Sequence, residues 1–343
     1  MAPGDGRERS TLEAAGQRSM KAAVYSRYGP PDVVQIKEVE KPVPTDNEVL
    51  IKVRAASVNP LDWHFMRGTP YILRIQAGLP KPKDKRLGVD VAGQVEAAGR
   101  NVTQFKPGDE VFGSCRGAFA EYACTSESAL VMKSHNVTFE QAASAPVAAF
   151  TALQGLRDKG QIQPGQKVLI NGAAGGVGTF AVQIAKSIGA DVTGICSTKS
   201  VDMLRSIGAD HVVDYTHEDF TKSGQRYDLF FDCVGNHSLS ASRGVLTSQG
   251  IYIAVGGPSG RWMIGPLTRA ITAHVLSRFV SQKLVMVLAK PSQKDLTVVR
   301  DLMEAGRATP VIDKRYRLSE VPDAIRYLEA GHARGKVVIT LEC

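Results

Sequence analysis

The chain has 343 residues, a formal net charge of +8, 43% hydrophobic residues and 22% charged residues, which is typical of a globular protein. This length exceeds what one hydrophobic core usually organises, so we expect two domains. No eighteen apolar residues run together, which excludes a predicted membrane span. The basic residues form no stripe interleaved with aromatic residues, so nucleic acid is not an expected partner.

The first nineteen residues resemble neither a signal peptide nor a transit peptide. They lack an apolar core and balance three acidic residues against three arginines. We expect a disordered extension or an expression tag at 1–19, with folded patterning from Met20 onward. The five cysteines are scattered without paired metal-ligand spacing, which favours a reducing compartment and a cytoplasmic location.

The stretch from Lys21 to Leu130 shows short strands separated by turns rather than long helices. Strands are expected at Lys21–Tyr25, Glu48–Val58, Val89–Ala98 and Glu110–Phe112. This pattern predicts a mostly-β region that is barrel-like or partly open. Within it, Arg74 to Arg86 forms a local basic run, for which a solvated loop is favoured over an anion-steering patch.

Near Phe139 the pattern changes to an alanine-rich helical stretch, Phe139 to Leu156, that Pro146 interrupts. Strands and helices then alternate, which predicts a parallel sheet with helices on both faces. The expected elements are strands Lys167–Ile170, Asp191–Cys196, His211–Asp214, Asp228–Asp232, Ile251–Val255 and Lys283–Leu288, and helices Thr179–Ile188, Ser200–Ile207 and Ser238–Leu246.

The last elements do not extend this alternation, so they are assigned to the first domain. They are a helix at Asp295–Ala305, a strand at Val311–Tyr316, a helix at Val321–Glu329 and a strand at Lys336–Leu341. The predicted organisation is therefore a mostly-β domain formed by 20–144 and 290–343, with an α/β domain at 145–289 inserted into it.

A glycine-rich turn, Gly172-Ala173-Ala174-Gly175-Gly176-Val177-Gly178, joins an apolar strand to an apolar helix. Alanine replaces the first glycine of the usual dinucleotide pattern. Small residues let the backbone approach a pyrophosphate, and N–H groups at the helix N-terminus hold its negative charge. Such turns also occur without a ligand, but the strand before and the helix after favour a nucleotide site.

Several separate segments resemble the medium-chain dehydrogenase/reductase superfamily, in its zinc-independent quinone oxidoreductase branch. The resemblance covers nearly everything after Met20 and lies in Ser57–Trp63, Gly88–Gly93, Phe105–Val111, the glycine-rich turn and Gly331–Lys336. It implies a GroES-like catalytic domain split around a Rossmann domain, with the active site between them. Zinc-dependent relatives carry a ligand cysteine at the position of Asn59 and Gly-His-Glu at the position of Gly88-Val89-Asp90, so no metal site is expected.

The cofactor is expected to be NADPH. Ser197 and Lys199 follow the second strand of the alternating unit, where an acidic residue would favour NADH, although a capping serine before a solvated lysine is the alternative. The resemblance adds Tyr215 near the adenosine phosphate and places His332, Ala333 and Arg334 close to the cofactor. The remaining expected contacts are Ala174, Gly175, Gly176, Val177 and Val255.

The candidate catalytic residues are Asn59, His64 and Tyr71. The Asn59 amide could orient a substrate oxygen or the nicotinamide, or could cap a turn before Pro60. His64 matches in position a proton-relay histidine of zinc-containing relatives and could donate a proton near neutral pH. Tyr71 is a further candidate donor, although both side chains could be ordinary loop residues. Loops around Arg67–Pro82 and Gly257–Arg278 are expected to form the substrate pocket.

These residues predict reduction of quinones or α,β-unsaturated carbonyls by hydride transfer from NADPH. Conjugated acceptors need less electrophilic help than isolated ketones, which suits a site without metal. Two alternatives stay open: reduction of saturated aldehydes or ketones, and an NADPH-binding structural or regulatory protein with little turnover. The strand at Lys283–Leu288 is expected at a sheet edge, where it could pair across the axis of a homodimer.

Overall fold

The computed structural model describes residues 19–255 and 281–341. The strands are, in chain order, β1 (Ser19–Tyr25), β2 (Val34–Glu40), β3 (Glu48–Val58), β4 (Asp90–Ala98), β5 (Glu110–Ser114), β6 (Tyr122–Ser126), β7 (Leu130–Met132), β8 (Lys167–Asn171), β9 (Asp191–Cys196), β10 (His211–Asp214), β11 (Tyr227–Asp232), β12 (Leu246–Ala254), β13 (Lys283–Met286), β14 (Ile312–Arg317) and β15 (Lys336–Thr340).

The α-helices are α1 (Pro60–Arg67), α2 (Leu73–Ala77), α3 (Phe139–Ser144), α4 (Pro146–Leu153), α5 (Gly176–Ile188), α6 (Val201–Ser206), α7 (Leu239–Gly244), α8 (Gln293–Glu304) and α9 (Val321–Glu329). A π-helical turn, Gln154–Lys159, continues α4. Short 3-10 turns lie at Pro31–Val33, Glu127–Ala129, Thr198–Ser200, Phe220–Lys222 and Leu318–Glu320. In these parts of the chain, no helix has the length and apolar character needed to cross a bilayer.

The alternating half of the chain forms a six-stranded parallel sheet, as predicted. Its order is β10-β9-β8-β11-β12-β13. Strands β9 and β10 are added on one side of β8, whereas β11, β12 and β13 are added on its other side. The strand order therefore reverses between β8 and β11. In such sheets the crevice at the carboxyl ends of the strands on either side of this reversal is where ligands bind.

The rest of the described chain forms a two-stranded sheet of β1 and β2 and a mostly antiparallel sheet of seven strands, and the expected GroES-like and Rossmann architecture is confirmed. The order is β14-β15-β3-β4-β5-β7, with β6 paired to β3. Strands β14 and β15 come from the C-terminal segment and pair with β3 of this sheet through β15. Helix α3 ends beside Ala145, and α4 begins at Pro146, so the proline does interrupt the alanine-rich stretch.

Two helices lie in a stretch that the sequence analysis treated as loop. Helix α1 begins with Pro60, whose fixed φ suits the first helical position, and the carboxylate of Asp62 accepts a hydrogen bond from the backbone N–H of Asn59 at 2.7 Å. Gly68 ends it with a φ of 59°. The helix is only two turns long and its apolar pattern is weak, which is why periodicity did not reveal it.

Strand pairing brings three separated residues to one point. In the antiparallel pair β15 and β3, Val337 lies opposite Val58, so Lys336 comes next to Asn59. In the pair β3 and β4, Ser57 lies opposite Asp90. The ends of three adjacent strands therefore converge at the border between the two sheets.

Candidate cofactor and active site

A cleft of about 950 Å³ is lined by residues from both sheets, and we call it the central cleft. One side is formed where β8, β9 and β11 end, and the other by residues 58–60 and 331–336. This volume is in the range of small-molecule and cofactor sites. The cleft thus lies at the expected ligand position of the parallel sheet.

The glycine-rich turn forms one wall of the cleft. Gly172 has a φ of 74°, which a residue with a side chain rarely adopts, and it turns the chain sharply after β8. Thr179 donates its N–H to Gly175 at 2.9 Å, so the N–H groups before it stand at the open N-terminus of α5. A Cβ added to Gly175 would have only the Gly172 oxygen within 4 Å, at 3.4 Å. The turn therefore leaves room for a ligand phosphate against bare backbone.

Cationic and hydroxyl groups gather at the far end of the cleft, beyond the end of β9. Ser197, Lys199 and Tyr215 all line it, and Lys199 and Tyr215 are exposed. Arg334 reaches the same place from the other sheet, where its guanidinium donates to the backbone oxygen of Lys199 at 3.4 Å. The nearby carboxylate of Asp214 accepts hydrogen bonds from hydroxyl groups, including that of Thr198 at 2.5 Å. This end is suited to an anionic group.

The floor of the cleft contains a buried polar network centred on Lys336, which is only 3% exposed. Its ammonium donates to Asn59 Oδ1 at 2.6 Å and lies 3.7 Å from Asp90 Oδ2. Asn59 Nδ2 and Ser57 Oγ each donate to that same Asp90 oxygen at 2.9 Å. The other Asp90 oxygen accepts from the backbone N–H of Val147 at 3.1 Å. Every polar atom named here has a partner, as a buried network requires.

Burial shifts the ionisation of this network. It raises the pKa of Asp62 to about 7, raises the pKa of Asp90, and lowers the pKa of Lys336, because each charged form loses hydration. The positive charge of Lys336 opposes all three shifts through its attraction to the two carboxylates.

Two family profiles match the chain: "Alcohol dehydrogenase GroES-like domain" over residues 45–135 and "Zinc-binding dehydrogenase" over 207–339. The "Chloroplast envelope quinone oxidoreductase homolog" of Arabidopsis thaliana is 33% identical, over 93% of this chain and 98% of that protein. The chain belongs to the medium-chain dehydrogenase/reductase superfamily.

Two further relatives of this superfamily agree with that assignment. The chloroplastic "NADPH-dependent alkenal/one oxidoreductase" of Arabidopsis thaliana is 33% identical over 96% of this chain and 81% of that protein. The solved quinone oxidoreductase of Coxiella burnetii superposes with a TM-score of 0.82 at 29% identity, covering 94% of this chain and all of that one. The resemblance to the quinone oxidoreductase branch that the sequence indicated is confirmed.

The residues at the zinc-ligand positions of the superfamily do not fit a metal in this chain. Asn59 and Val89 stand where zinc-dependent relatives have a cysteine and a histidine, and neither is a usual zinc ligand. The Lys336 ammonium is held by Asn59 and Asp90, so a cation of the protein itself occupies this polar network. Over residues 19–255 and 281–341, no three His, Cys, Asp or Glu side chains cluster as a metal site would require.

His64 and Tyr71 do not line the central cleft in the described part of the chain. His64 lies on α1, stacked on Trp63, with Nδ1 2.7 Å from the backbone oxygen of Thr69. A carbonyl can only accept, so Nδ1 carries the proton and Nε2 of the neutral ring carries none. Burial lowers the pKa of His64, which favours that neutral form. The Tyr71 ring packs under the guanidinium of Arg74.

The other predicted residues separate into two groups. The cleft is lined by all the expected cofactor contacts except Val255, namely Ala174, Gly175, Gly176, Val177, Ser197, Lys199, Tyr215, His332, Ala333 and Arg334, together with Asn59. Val255 instead packs against the core and donates its N–H to the Asp232 oxygen at 2.9 Å. Of the two loops expected to form the substrate pocket, 67–82 contributes no described residue to the lining of the central cleft, and 257–278 lies outside the described residues.

Sequence reasoning missed the network partners of Asn59. Lys336 was noted only as part of a family segment, and Asp90 only as a departure from the zinc pattern. One signal was available for each: both are ionisable residues that begin an apolar strand, in Lys-Val-Val-Ile and Asp-Val-Ala-Gly. Their meeting with Asn59 depends on strand register, which the sequence does not reveal.

Proposed function

We propose that the chain is a zinc-independent oxidoreductase that uses NADPH to reduce quinones or α,β-unsaturated carbonyls. The observation that carries this proposal is the central cleft, which joins the glycine-rich turn to a floor where the Lys336 ammonium donates to Asn59 Oδ1 at 2.6 Å. Relatives named for quinone and alkenal/one reduction support the substrate class. Superfamily membership supports a nicotinamide cofactor.

The turn and the far end of the cleft would hold the cofactor in one orientation. The N-terminus of α5 would bind the pyrophosphate, because its N–H groups and dipole favour an anion. Lys199, Arg334 and the Ser197 hydroxyl would bind a ribose 2′-phosphate, a group that NADH lacks. This end therefore favours NADPH over NADH.

A bound nicotinamide supplies the hydride. On the opposite side, Lys336 and Asn59 form a fixed, buried polar floor that does not reorganise, and such preorganised groups stabilise developing negative charge. A conjugated acceptor spreads that charge over several atoms and so needs no metal. An isolated saturated ketone concentrates the charge on one oxygen, which disfavours the saturated-carbonyl alternative.

The test is an initial-rate screen with NADPH and NADH against a quinone, an enone and the saturated ketone of the same carbon skeleton. The proposal expects turnover of the quinone or enone, a preference for NADPH, and little turnover of the saturated ketone. A saturated ketone that reacts as fast as its enone would favour the first alternative. NADPH binding without turnover of any acceptor would favour the structural or regulatory alternative.

Proton delivery needs a separate test. His64 and Tyr71 remain the candidates from the sequence, and neither lines the cleft in the described part of the chain. If either donates the proton, His64→Ala or Tyr71→Phe should lower kcat by 10²-fold or more, as for other general acids (about 10²–10⁴). If both variants keep wild-type kcat, the proton comes from solvent.

We also propose a homodimer that pairs through β13. Among residues 19–255 and 281–341, this strand stands at the edge of the six-stranded sheet, as expected from the sequence, and pairs only with β12, so its other side could pair with a second copy. Sedimentation equilibrium should give twice the chain mass, and Val285→Pro in β13 should lower it to one chain mass. A wild-type protein that sediments as a monomer would refute the pairing.

A further inference from the structure

Three large aliphatic side chains are exposed within eight consecutive residues. Ile72 is 50%, Ile75 67% and Leu79 69% exposed, and none of them lines the central cleft. Ile72 and Ile75 are one helical turn apart at α2, and Leu79 lies two residues beyond the last residue of that helix. Single exposed aliphatic residues are ordinary, but a local group of three marks an interaction surface.

The protein holds this surface in place from beneath. The Tyr28 hydroxyl donates to the backbone oxygen of Gly78 at 2.8 Å. Arg74 donates to the Gly68 oxygen at 2.9 Å and stacks over the Tyr28 ring, 4.4 Å from its centre. These contacts use the inner side of α2 and leave Ile72 and Ile75 directed away from the body of the protein.

A basic segment folds back against the same helix. Lys83 donates its backbone N–H to Ala77 at 2.8 Å, at the C-terminus of α2. Lys81, Lys83 and Lys85 are exposed, and within the ranges 19–255 and 281–341 none of them is within salt-bridge distance of a carboxylate. Asp84, the acidic residue of this segment, is paired with Arg86 at 3.2 Å. The lysine charges therefore stand unbalanced beside the aliphatic group.

We propose that residues 72–86 bind the surface of an anionic lipid bilayer, and we call them the membrane-docking segment. The exposed aliphatic side chains would enter the boundary between headgroups and acyl chains, while the lysines contact anionic headgroups. The chemistry suits a bilayer rather than a soluble anion because the charge is combined with aliphatic surface that a small anion does not need. This proposal does not rest on the reaction catalysed.

The test is co-sedimentation of the full chain with vesicles, without substrate or cofactor. Phosphatidylcholine vesicles are compared with vesicles containing about 30 mol% phosphatidylglycerol, a content that gives a strongly negative surface. We expect at least tenfold tighter binding to the anionic vesicles. Replacing Lys81, Lys83 and Lys85 together by Gln should weaken binding about 100-fold, since each lysine near such a surface contributes about fivefold.

The matched control replaces three exposed lysines elsewhere, Lys37, Lys290 and Lys294, by Gln, which changes the net charge equally. It should change vesicle affinity less than about threefold, because charges beyond a Debye length of about 10 Å from the membrane are screened. An equal loss in both triple variants would show a net-charge effect and overturn the assignment. Failure of the wild-type chain to bind anionic vesicles would overturn it outright.

A second pair of variants tests the aliphatic part. Ile72, Ile75 and Leu79 changed together to Ser should abolish the binding that persists at high salt. Val43 and Leu288, which are 82% and 79% exposed, changed to Ser should leave it unchanged. All variants must retain the wild-type Tm in thermal unfolding, which shows that they are folded. Salt-resistant binding that survives the first change would contradict membrane insertion by this segment.

Discussion

The structure predicts opposite consequences for two neighbouring glycines. A Cβ at Gly178 would lie 2.1 Å from the Gly172 oxygen and 2.7 Å from the Ala173 Cα. Both are backbone atoms that cannot rotate away, so Gly178→Ala must push α5 off the end of β8. Such overpacking costs about 3 kcal/mol, and the better helix propensity of alanine returns about 1 kcal/mol. The net loss of about 2 kcal/mol corresponds to a Tm lower by roughly 4–8 °C.

Gly175→Ala should leave stability nearly unchanged but weaken the cofactor. Its Cβ meets one protein atom at an ordinary 3.4 Å. The loss of a glycine N-cap and the lower entropy of the unfolded chain are each worth up to about 1 kcal/mol and oppose each other. That Cβ would, however, project where the pyrophosphate approaches, so the Kd for NADPH should rise at least tenfold.

The assay for both variants is thermal unfolding combined with a fluorescence titration of NADPH. Gly244→Ala is the matched control, since a Cβ there has no atom within 4 Å. It should leave Kd unchanged and should not lower Tm; the better helix propensity of alanine could raise Tm by up to about 4 °C. If Gly175→Ala binds NADPH as tightly as the wild type, the turn does not approach a phosphate and the reasoning is refuted.

Three further predictions concern charged groups. Lys199→Ala should raise the KM for NADPH at least tenfold and leave the KM for NADH nearly unchanged; equal effects in initial-rate kinetics would refute 2′-phosphate recognition. Lys336→Met leaves the Asp90 carboxylate buried without its cation, so thermal unfolding should show a loss of about 3–5 kcal/mol in the free energy of unfolding. The double variant, Lys336→Met with Asp90→Asn, should recover a large part of that loss. The pKa of Asp62 is raised from 3.8 to about 7, so its proton stabilises the folded state at low pH and that stabilisation is lost as pH rises through 7. Asp62→Asn stays neutral, so its Tm should fall less than that of the wild type between about pH 4 and pH 7; identical pH profiles would contradict this.

The fold was largely predictable because its signals are local. Apolar runs separated by glycine turns reveal β8 to β12, and Pro146 marks the break between α3 and α4. Helix α1 was not predicted because it is short and its beginning depends on one hydrogen bond, from the Asn59 backbone N–H to the Asp62 carboxylate. Strand β2 also went unrecognised, because its alternation of buried and exposed residues is irregular.

Site residues could be predicted from the sequence only where they directly follow a predicted strand. The glycine-rich turn and Ser197 to Lys199 stand directly after strands, so their place at the carboxyl edge follows from sequence. The network of Lys336, Asn59 and Asp90 joins residues up to 277 positions apart. It depends on the registers of β15 with β3 and of β3 with β4, and a shift of one residue would send these side chains to opposite faces.

The proposed reduction of an enone by NADPH is tested most directly by following where the transferred hydride goes. NADPH carrying deuterium at both C4 positions of the nicotinamide is incubated with an enone, and the product is analysed by mass spectrometry and NMR. We predict one deuterium at the carbon β to the carbonyl, delivered directly by a cofactor held in the central cleft. Deuterium at the carbonyl carbon, or a product without deuterium, would contradict it.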